Sequence, residues 1–366
     1  MFNREEIQEK QARVRKFLEE RKFTAIYLKR QANFSWITAG GISYVNVATD
    51  LGGVGLLITP EKAYSISNNI EAVRMEKEEG LAEQGYEIQS FPWYEDREQA
   101  LVQELGGSRI AADFAFPGAV DVSSDIAKLR YSLTPWEVER IRDLALRTSQ
   151  AAEETLQVVK RGEKECQVIG RLAQKLWENR IDYVIAFCAA DDRINNFRHP
   201  IATKRPIENR AMLSVNARKG GLILSITRFV QLGKVPPDLK KQYRDNVYID
   251  SVIMAATIPG KPVVEAFKAG IEAYEQLGYH KEWELHHQGG SIGYMPRDYR
   301  VTWNTREIVQ ENQAFTWNPS ISGTKSEDTM LATSKGPIVL SEPVVYPVLQ
   351  MEVGGYTFRR PEILEI

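Results

Sequence analysis

The stretch RAMLSVNARKGGLILSITRFVQLG, residues 210–233, carries the clearest fold signal in the sequence. Two runs rich in apolar and β-branched residues flank Lys219–Gly220–Gly221, a pattern typical of a β-hairpin. Ser214 and Asn216 stand two positions apart in the first run, so their side chains share one face of the predicted strand. We therefore predict an antiparallel strand pair in this part of the chain.

The residues around this hairpin predict two domains of different class. Upstream, Thr134, Pro135 and Glu137 form a helix-start signature with an N-cap, a proline at the first position and a capping box. Helices are predicted at about 163–179, 238–256 and 261–278, and strands at 314–321 and 327–333. The second half is thus α+β, whereas a helix over 3–22 followed by alternating strands and a helix indicates an α/β domain. We place the domains at 1–132 and 133–366.

Composition excludes several classes of function. The chain has 366 residues, which favours two domains, and a formal net charge of −2 without a Lys/Arg block, which disfavours nucleic acid as a partner. No apolar run reaches about 18 residues, so no membrane span is expected, and the charged N-terminal pattern does not resemble a signal peptide. No glycine-rich nucleotide signature is present. Cys166 and Cys188 favour a reducing cytoplasm and are expected to be buried thiols.

Five segments follow one another along the second half of the chain: NNFRHPIATKRPIENRAML, SITRF, HHQGGSIGY, TWNPSI and SEDTMLAT. In this order they resemble the creatinase/aminopeptidase (M24, pita-bread) family, which includes Xaa-Pro peptidases, prolidases, methionine aminopeptidases and creatinase. The resemblance covers roughly residues 133–345 and implies a pita-bread domain, and the first third is similar to the smaller domain that precedes it in Xaa-Pro peptidases and creatinase.

In its metal-dependent members, the resemblance implies a dinuclear site with two aspartates on a hairpin. The second aspartate position is Ser225, which precedes Ile-Thr-Arg. The first is Ser214 by spacing, or Asn216 if two residues are skipped, and the sequence leaves this choice open. None of the three is a carboxylate, although two divalent ions need several anionic oxygens around them.

The remaining ligand positions retain one carboxylate. The family histidine corresponds to His287, with His286 as the alternative; we expect His286 to point to the opposite strand face and to be structural or exposed. The first glutamate position is Asn318, and the last is Glu327, which is kept. We therefore expect no metal and no other cofactor, although a single ion between His287 and Glu327 remains an alternative.

A further family feature is a histidine on the loop before the hairpin, which here is His199. In creatinase, which works without metal, the resembling histidine is the acid/base residue, and histidine suits this work because its ordinary pKa lies near operating pH. The resemblance implies that His287 and Glu327 then orient substrate or water. The alternative is that His199 only hydrogen-bonds to the loop before Pro200.

Other residues are candidates for substrate contact. Arg297, Arg300 and Arg198 suit a carboxylate because a guanidinium forms a fork of donors. Trp317 is a candidate for holding a cationic group by cation–π contact. The glycines at 289, 290 and 293 fit either a tight pocket wall or an ordinary turn. The expected hydrogen-bonding residues of the site are Ser225, Asn318 and Asn216.

Three functions follow from these assignments. The first is a metal-independent, creatinase-like hydrolase that cleaves a C–N bond of a small polar substrate. The alternatives are an Xaa-Pro-type peptidase with one metal ion or none, and a non-catalytic ligand-binding or scaffold protein of the same fold. The resemblance also implies a homodimer in which YLKRQANFSWITAGG, with Phe34 and Trp36, covers the partner's pocket.

Overall fold

The chain divides into two units in the structure, a computed structural model that describes residues 2–366. The first unit runs to Arg130 and includes Gly220–Leu222, and the second consists of Tyr131–Lys219 and Ile223–Ile366. Our predicted boundary followed residue 132, whereas this division follows residue 130. Among residues 2–366, no helix combines the length and the apolar character that crossing a bilayer requires.

The first unit contains a six-stranded mixed sheet with the order β4-β3-β2-β1-β5-β6. Its strands are β1 (Ala25–Arg30), β2 (Leu51–Ile58), β3 (Ala63–Asn68), β4 (Glu87–Phe91), β5 (Ile110–Ala112) and β6 (Ala119–Asp121). Its helices are α1 (Arg4–Arg21), α2 (Gln31–Ile37), α3 (Asn69–Lys77), α4 (Glu98–Gly106) and α5 (Ser123–Leu129). The antiparallel pairs β1–β2 and β2–β3 lie at the centre of the sheet and are flanked by the parallel pairs β3–β4, β1–β5 and β5–β6, which agrees with the predicted α/β class.

The segment that we expected to cover a partner's pocket is part of the first unit's own core. Phe34 and Trp36 lie on α2 and are fully buried. The apolar surface of these two rings is therefore already removed from water by their own unit. Our assignment of Phe34 and Trp36 to a partner's pocket is wrong.

The second unit contains two larger sheets and two strand pairs. Its helices are α6 (Pro135–Gln157), α7 (Glu165–Trp177), α8 (Asp192–Asn196), α9 (Pro237–Ala256), α10 (Val263–Gln276) and a 3₁₀ turn at Glu282–Leu285. The strands of the first sheet, in the order β19-β9-β8-β7, are β7 (Asp182–Ala190), β8 (Arg210–Lys219), β9 (Leu222–Gln231) and β19 (Leu364–Glu365). The strands of the second, in the order β11-β10-β12-β15-β16, are β10 (Gly289–Ser291), β11 (Tyr299–Arg300), β12 (Gln313–Trp317), β15 (Asp328–Ala332) and β16 (Ile338–Val339). The pairs are β13 (Ser320–Ile321) with β14 (Thr324–Lys325), and β17 (Val348–Val353) with β18 (Tyr356–Pro361).

The hairpin predicted from the opening stretch is present as β8 and β9. The next strand, β7, pairs antiparallel with β8, and this register places Phe187 opposite Ser214 and Ile185 opposite Asn216. Residues opposite each other in a ladder project to the same face, as do residues two apart in one strand. Two apolar and two polar side chains therefore form one patch on this sheet.

Local start signals of the second unit are also confirmed. Thr134 caps α6, its side chain accepts from the Glu137 N–H, and the Glu137 carboxylate completes the capping box by binding the Thr134 N–H. Pro135 is the first helical residue. These contacts satisfy amide groups that a helix start otherwise leaves unpaired. Of the two cysteines, Cys188 is buried as expected, whereas Cys166 is exposed on α7, so our prediction for Cys166 is wrong.

Gly289 and Gly290 belong to a central strand and neither line a pocket nor form a turn. Gly289 has φ +118°, and a Cβ added there would come within 2.3 Å of the Thr316 carbonyl oxygen on β12. A Cβ on Gly290 would meet the Tyr299 carbonyl oxygen on β11 at 2.1 Å. The glycines thus allow three strand backbones to pack closely.

A buried ionic network lies behind the hairpin. Asp328 accepts from Arg228 at 2.9 Å through one oxygen and from Arg360 at 3.0 Å through the other. Arg228 also contacts Glu153 at 2.9 Å, and Arg360 contacts Asp250 at 2.5 Å. All five side chains are buried, so each guanidinium depends on its carboxylates for compensation of its charge.

Candidate active site

A cavity of about 320 Å³ lies beside the patch on β7 and β8. Its walls combine polar, charged and apolar side chains of the second unit. The lining residues are Ile185, Phe187, His199, Ser214, Asn216, His287, Pro296, Arg297, Arg300, Asn318, Lys325 and Glu327. The structure thus brings together most of the residues that the sequence nominated from five separate segments.

Glu327 is the carboxylate of this cavity wall, and an ammonium compensates its charge. Lys325 Nζ donates to Glu327 Oε2 at 2.8 Å, and both side chains are nearly buried. Arg297 Nη2 approaches the other carboxylate oxygen, Oε1, at 3.4 Å. Ser214 Oγ lies 3.0 Å and Thr227 Oγ1 2.7 Å from Oε2. Glu327 therefore already holds two cationic and two hydroxyl partners.

These contacts determine the protonation state of Glu327. Burial raises the pKa of its carboxyl, but Lys325 and Arg297 outweigh burial and lower that pKa to about 2. The charged form is favoured because the two cations and the hydrogen bonds stabilise it more than desolvation penalises it. Glu327 is consequently an anion throughout the physiological pH range, and it is not a proton donor near neutral pH.

Three histidines cluster at one end of the cavity. His199 Nε2 and His286 Nε2 are 3.1 Å apart, within hydrogen-bonding distance. The His286 and His287 rings stack with centroids 4.3 Å apart, and the His199 ring stacks on Phe187 at 5.3 Å. The chain over residues 286–288 connects a 3₁₀ turn to β10 and is not itself a strand. Our expectation that His286 points away from His287 is therefore wrong, since the two rings stack, but His286 is buried and is not among the lining residues, so a structural role for it stays a prediction.

Burial, assisted by the neighbouring cations, keeps these histidines neutral. Burial lowers the pKa of His287 to about 3, helped by Arg297 and Lys325, and burial followed by Lys325 lowers that of His286 to about 2. Burial and then Lys325 also lower the pKa of the more exposed His199. A neutral imidazole offers one lone pair that accepts a proton. At neutral pH, His199 is therefore in the form that a general base requires.

The donor set does not fit the dinuclear metal centre that the resemblance implies. Glu327 is the carboxylate among the lining residues, and Ser214, Asn216 and Asn318 offer only neutral oxygens. Neutral hydroxyls and amides cannot replace several carboxylates around two hard cations. The ammonium of Lys325 at 2.8 Å also satisfies the carboxylate that an ion would need.

The three clustered histidines have a spacing that suits a single metal ion. Ligand atoms of His199, His286 and His287 lie within 4.8 Å of one another, a spacing that one metal ion can bridge. Among the described residues, Nδ1 of His286 and Nδ1 of His287 have no hydrogen-bond partner. However, Lys325 lowers the pKa of all three rings, and the same positive field opposes a divalent cation.

Three nominated residues do not line the cavity. Trp317 is fully buried, and its indole N–H donates to Thr257, the residue that follows α9, at 3.0 Å, so it cannot contact a ligand by cation–π interaction. Ser225 is fully buried behind the wall, where its N–H donates to Thr329 Oγ1 at 3.0 Å. Arg198 is paired with Glu282 at 2.8 Å. We therefore remove Trp317, Ser225 and Arg198 from the candidate substrate contacts.

Lys325 is the functional candidate that the sequence assignment missed. It lies two residues before Glu327 in an extended segment, and residues with that spacing point to the same side. A lysine beside a retained carboxylate was the available signal. The apolar residues Ile185 and Phe187 were also missed, since no motif marks them, and only the register with β8 brings them to the cavity.

Comparison with known proteins identifies relatives of the whole architecture. The family model described as Metallopeptidase family M24 matches residues 139–334. An uncharacterized peptidase of Staphylococcus aureus (strain USA300) is 20% identical over 230 residues, which is 60% of this chain and 65% of that relative. The match thus spans about 65% of the curated relative's own length.

Solved structures match over almost the entire chain. The Xaa-Pro dipeptidase from Bacillus anthracis has a TM-score of 0.77 at 18% identity, covering 98% of this chain and 100% of that one. A dipeptidase from Pyrococcus horikoshii OT3 has a TM-score of 0.79 at 17% identity, with coverage of 98% and 100%. This likeness confirms the expected pita-bread fold with its smaller N-terminal domain.

Proposed function

Since the chain belongs to metallopeptidase family M24, it is a peptidase-like hydrolase, and we propose that it cleaves a C–N bond without a metal ion. The observation that carries this proposal is the Lys325–Glu327 contact of 2.8 Å inside the cavity. An ammonium there supplies fixed positive charge, which in metal-dependent hydrolases comes from the ion. The substrate class is a small amide or peptide-like compound.

In the proposed reaction His199 transfers protons. Its neutral ring takes a proton from water as the water oxygen attacks the carbonyl carbon, which forms the new C–O bond. When the C–N bond breaks, the same ring returns the proton to the leaving nitrogen. Lys325 and Arg297 would stabilise the negative charge that develops on the carbonyl oxygen, because both are cations lining the same cavity.

The contact between His199 and His286 supports this role. One of the two Nε2 atoms, 3.1 Å apart, must carry the hydrogen that joins them. When His199 donates, His286 accepts, and Nδ1 of His199 is left as a lone-pair acceptor for the water proton. Stacking on Phe187 restricts rotation of the His199 ring. We propose that His286 and Phe187 position His199 for proton transfer.

The decisive experiment measures hydrolysis with and without a chelator. Protein purified without chelator is assayed against a panel of dipeptides and small amides, before and after EDTA, and its Mn, Co and Zn content is determined. We expect turnover that survives EDTA and no stoichiometric metal. Turnover that EDTA abolishes and Mn²⁺ restores would disprove metal independence.

A single-metal Xaa-Pro-type peptidase is the second candidate, favoured by the spacing of the three histidine ligand atoms within 4.8 Å. Metal analysis separates it from the first, because it requires one ion per chain. For both candidates we propose a cytoplasmic homodimer, as the family resemblance implies. Light scattering of the purified chain tests the dimer.

A further inference from the structure

We propose that the cavity takes a ligand with two carboxylate groups joined by a short apolar spacer. This inference rests on the proposed function, because it names the substrate class of the same site. It goes further in stating what the substrate must carry besides the bond that is cleaved. The charge of the wall, its unused donors and its apolar side together support this ligand class.

The fixed charges of the wall do not cancel. Arg297, Arg300 and Lys325 are three cations, and Glu327 is one anion, so a formal excess of two positive charges remains among the lining residues. The neighbouring histidines are neutral and neither add to this excess nor reduce it. A ligand that enters this cavity binds most favourably when its own charge offsets the excess.

The wall also has hydrogen-bond donors that remain unused. Arg300 is exposed, and in residues 2–366 its guanidinium has no side-chain partner. Nε of Arg297 is buried and has no acceptor within that same range. Arg297 otherwise donates to its neighbour's carbonyl, Pro296 O, at 2.6 Å and weakly to Glu327. The guanidinium of Arg300 can thus bind one carboxylate through a fork of donors, and Nη2 of Arg297, which holds Glu327 only at 3.4 Å, can donate to a second.

Glu327 cannot neutralise the remaining excess of two positive charges. Its oxygens already interact with Lys325, Arg297 and two hydroxyls. The amide of Asn318 also contacts Glu327 Oε1, at 3.5 Å, and contributes no countercharge. The two negative charges must therefore come from the ligand.

The apolar part of the wall limits the shape of that ligand. Ile185, Phe187 and Pro296 line the same cavity as the three cations. Burying methylene groups against such side chains is favourable, because it removes apolar surface from water. A cavity of about 320 Å³ suits a small compound. A short-chain dicarboxylate, such as an acidic amino acid in amide linkage, combines both features.

Calorimetric titration at low ionic strength tests the ligand class with four probes: glutarate, butyrate, glutaramide and inorganic phosphate. We expect glutarate to bind at least tenfold more tightly than butyrate, and glutaramide to show no measurable heat. Arg300→Gln should weaken glutarate binding at least tenfold while leaving butyrate binding within about threefold. Arg306→Gln, which removes an exposed arginine outside the cavity wall, is the matched control and should leave both unchanged.

Several results would overturn the inference. They are equal affinity for glutarate and butyrate, tighter binding of phosphate than of glutarate, and an Arg300→Gln protein that binds glutarate as the wild type does. The titration measures binding without turnover, so failure of the proposed hydrolysis can be distinguished from failure of the proposed ligand class. If glutarate binds as expected but the protein hydrolyses no amide, the proposed ligand class is supported and the proposed hydrolase function is rejected.

Discussion

Lys325 Nζ lies 2.8 Å from Glu327 Oε2, with side-chain exposures of 8% and 2%. Replacing Lys325 by Met leaves a buried carboxylate without its nearest counterion. We expect the free energy of unfolding to fall by about 3 kcal/mol, as is typical when one partner of a buried pair is removed. Chemical denaturation at pH 7 measures this loss.

The double variant Lys325→Met, Glu327→Gln is the matched control for that loss. Because it removes both charges, it should be more stable than Lys325→Met alone by more than about 1 kcal/mol. If Lys325→Met is as stable as the wild type to within about 0.5 kcal/mol, the pair does not compensate a buried charge.

The pKa of His199 should report the positive electrostatic field of the cations in the cavity wall. Burial and then Lys325 lower the pKa of His199 below its ordinary value, so its imidazole should be predominantly neutral at pH 7. In Lys325→Met we expect that pKa to move upward, since one positive neighbour is gone. NMR titration of the imidazole Cε1–H signals, assigned with His199→Gln, gives both values. An unchanged pKa in Lys325→Met would mean that the ammonium does not act on this ring.

His286 should make the protein sensitive to mild acid. Its folded-state pKa is about 2, whereas an unfolded histidine has a pKa of about 6.5. Above pH 6.5 the ring is neutral in both states. Below it, only the unfolded chain takes up the proton, so stability falls towards low pH by up to about 1.4 kcal/mol per pH unit.

His286→Gln should remove this part of the acid sensitivity. The unfolding free energy of the variant should therefore fall less steeply than that of the wild type between pH 6.5 and 5. His280→Gln serves as the matched control, because the His280 side chain is 66% exposed. Parallel stability curves for wild type and His286→Gln would contradict a buried, neutral His286.

His199→Gln should lower kcat and leave binding intact. Loss of a general acid/base residue typically reduces the rate by 10²- to 10⁴-fold. We expect a kcat loss in that range on the amide that the chelator-resistant assay identifies. Glutarate affinity should stay within about threefold of wild type, because the His199 ring is neutral at neutral pH and adds no charge to the cavity. A kcat within tenfold of wild type would assign the proton transfer to another group.

Asp328→Asn should destabilise the second unit strongly. It removes the carboxylate that Arg228 and Arg360 share, and both guanidinium groups are fully buried. We expect a loss of about 3–5 kcal/mol in denaturation experiments. Asp143→Asn, which removes a partly exposed partner of Arg147, should cost under about 1 kcal/mol. Equal losses in the two variants would show that the buried network is not compensating charge.

Local signals explain why much of the fold was predictable. The capping box at Thr134 and the two glycines after Lys219 act through contacts between near neighbours, so their residue types alone indicate the structure. Long-range register has no such signal. That Ile185 and Phe187 reach the cavity depends on how β7 pairs with β8.

The errors at the site come from two misapplied periodicities. Trp317 and Asn318 are adjacent in an extended segment, so they cannot both face the cavity, and choosing Asn318 should have excluded Trp317. His286 and His287 are also adjacent, but they lie outside a strand, and their rings stack side by side. No ligand position marks Lys325, because it is a cation gained beside the one carboxylate that remains and not a position that has lost a carboxylate.

The segment from Lys325 to Asp328 alternates between two electrostatic environments. Lys325 and Glu327 face the cavity, whereas Ser326 and Asp328 face the network, where Ser326 donates to Asp250 at 2.7 Å. A slip of one residue would push an ammonium against Arg228 and Arg360 and turn Asp328 out of their reach. This segment therefore fixes the register of β15. Only one alignment lets the sheet form without leaving a buried charge unpaired, so misaligned folding intermediates should be short-lived.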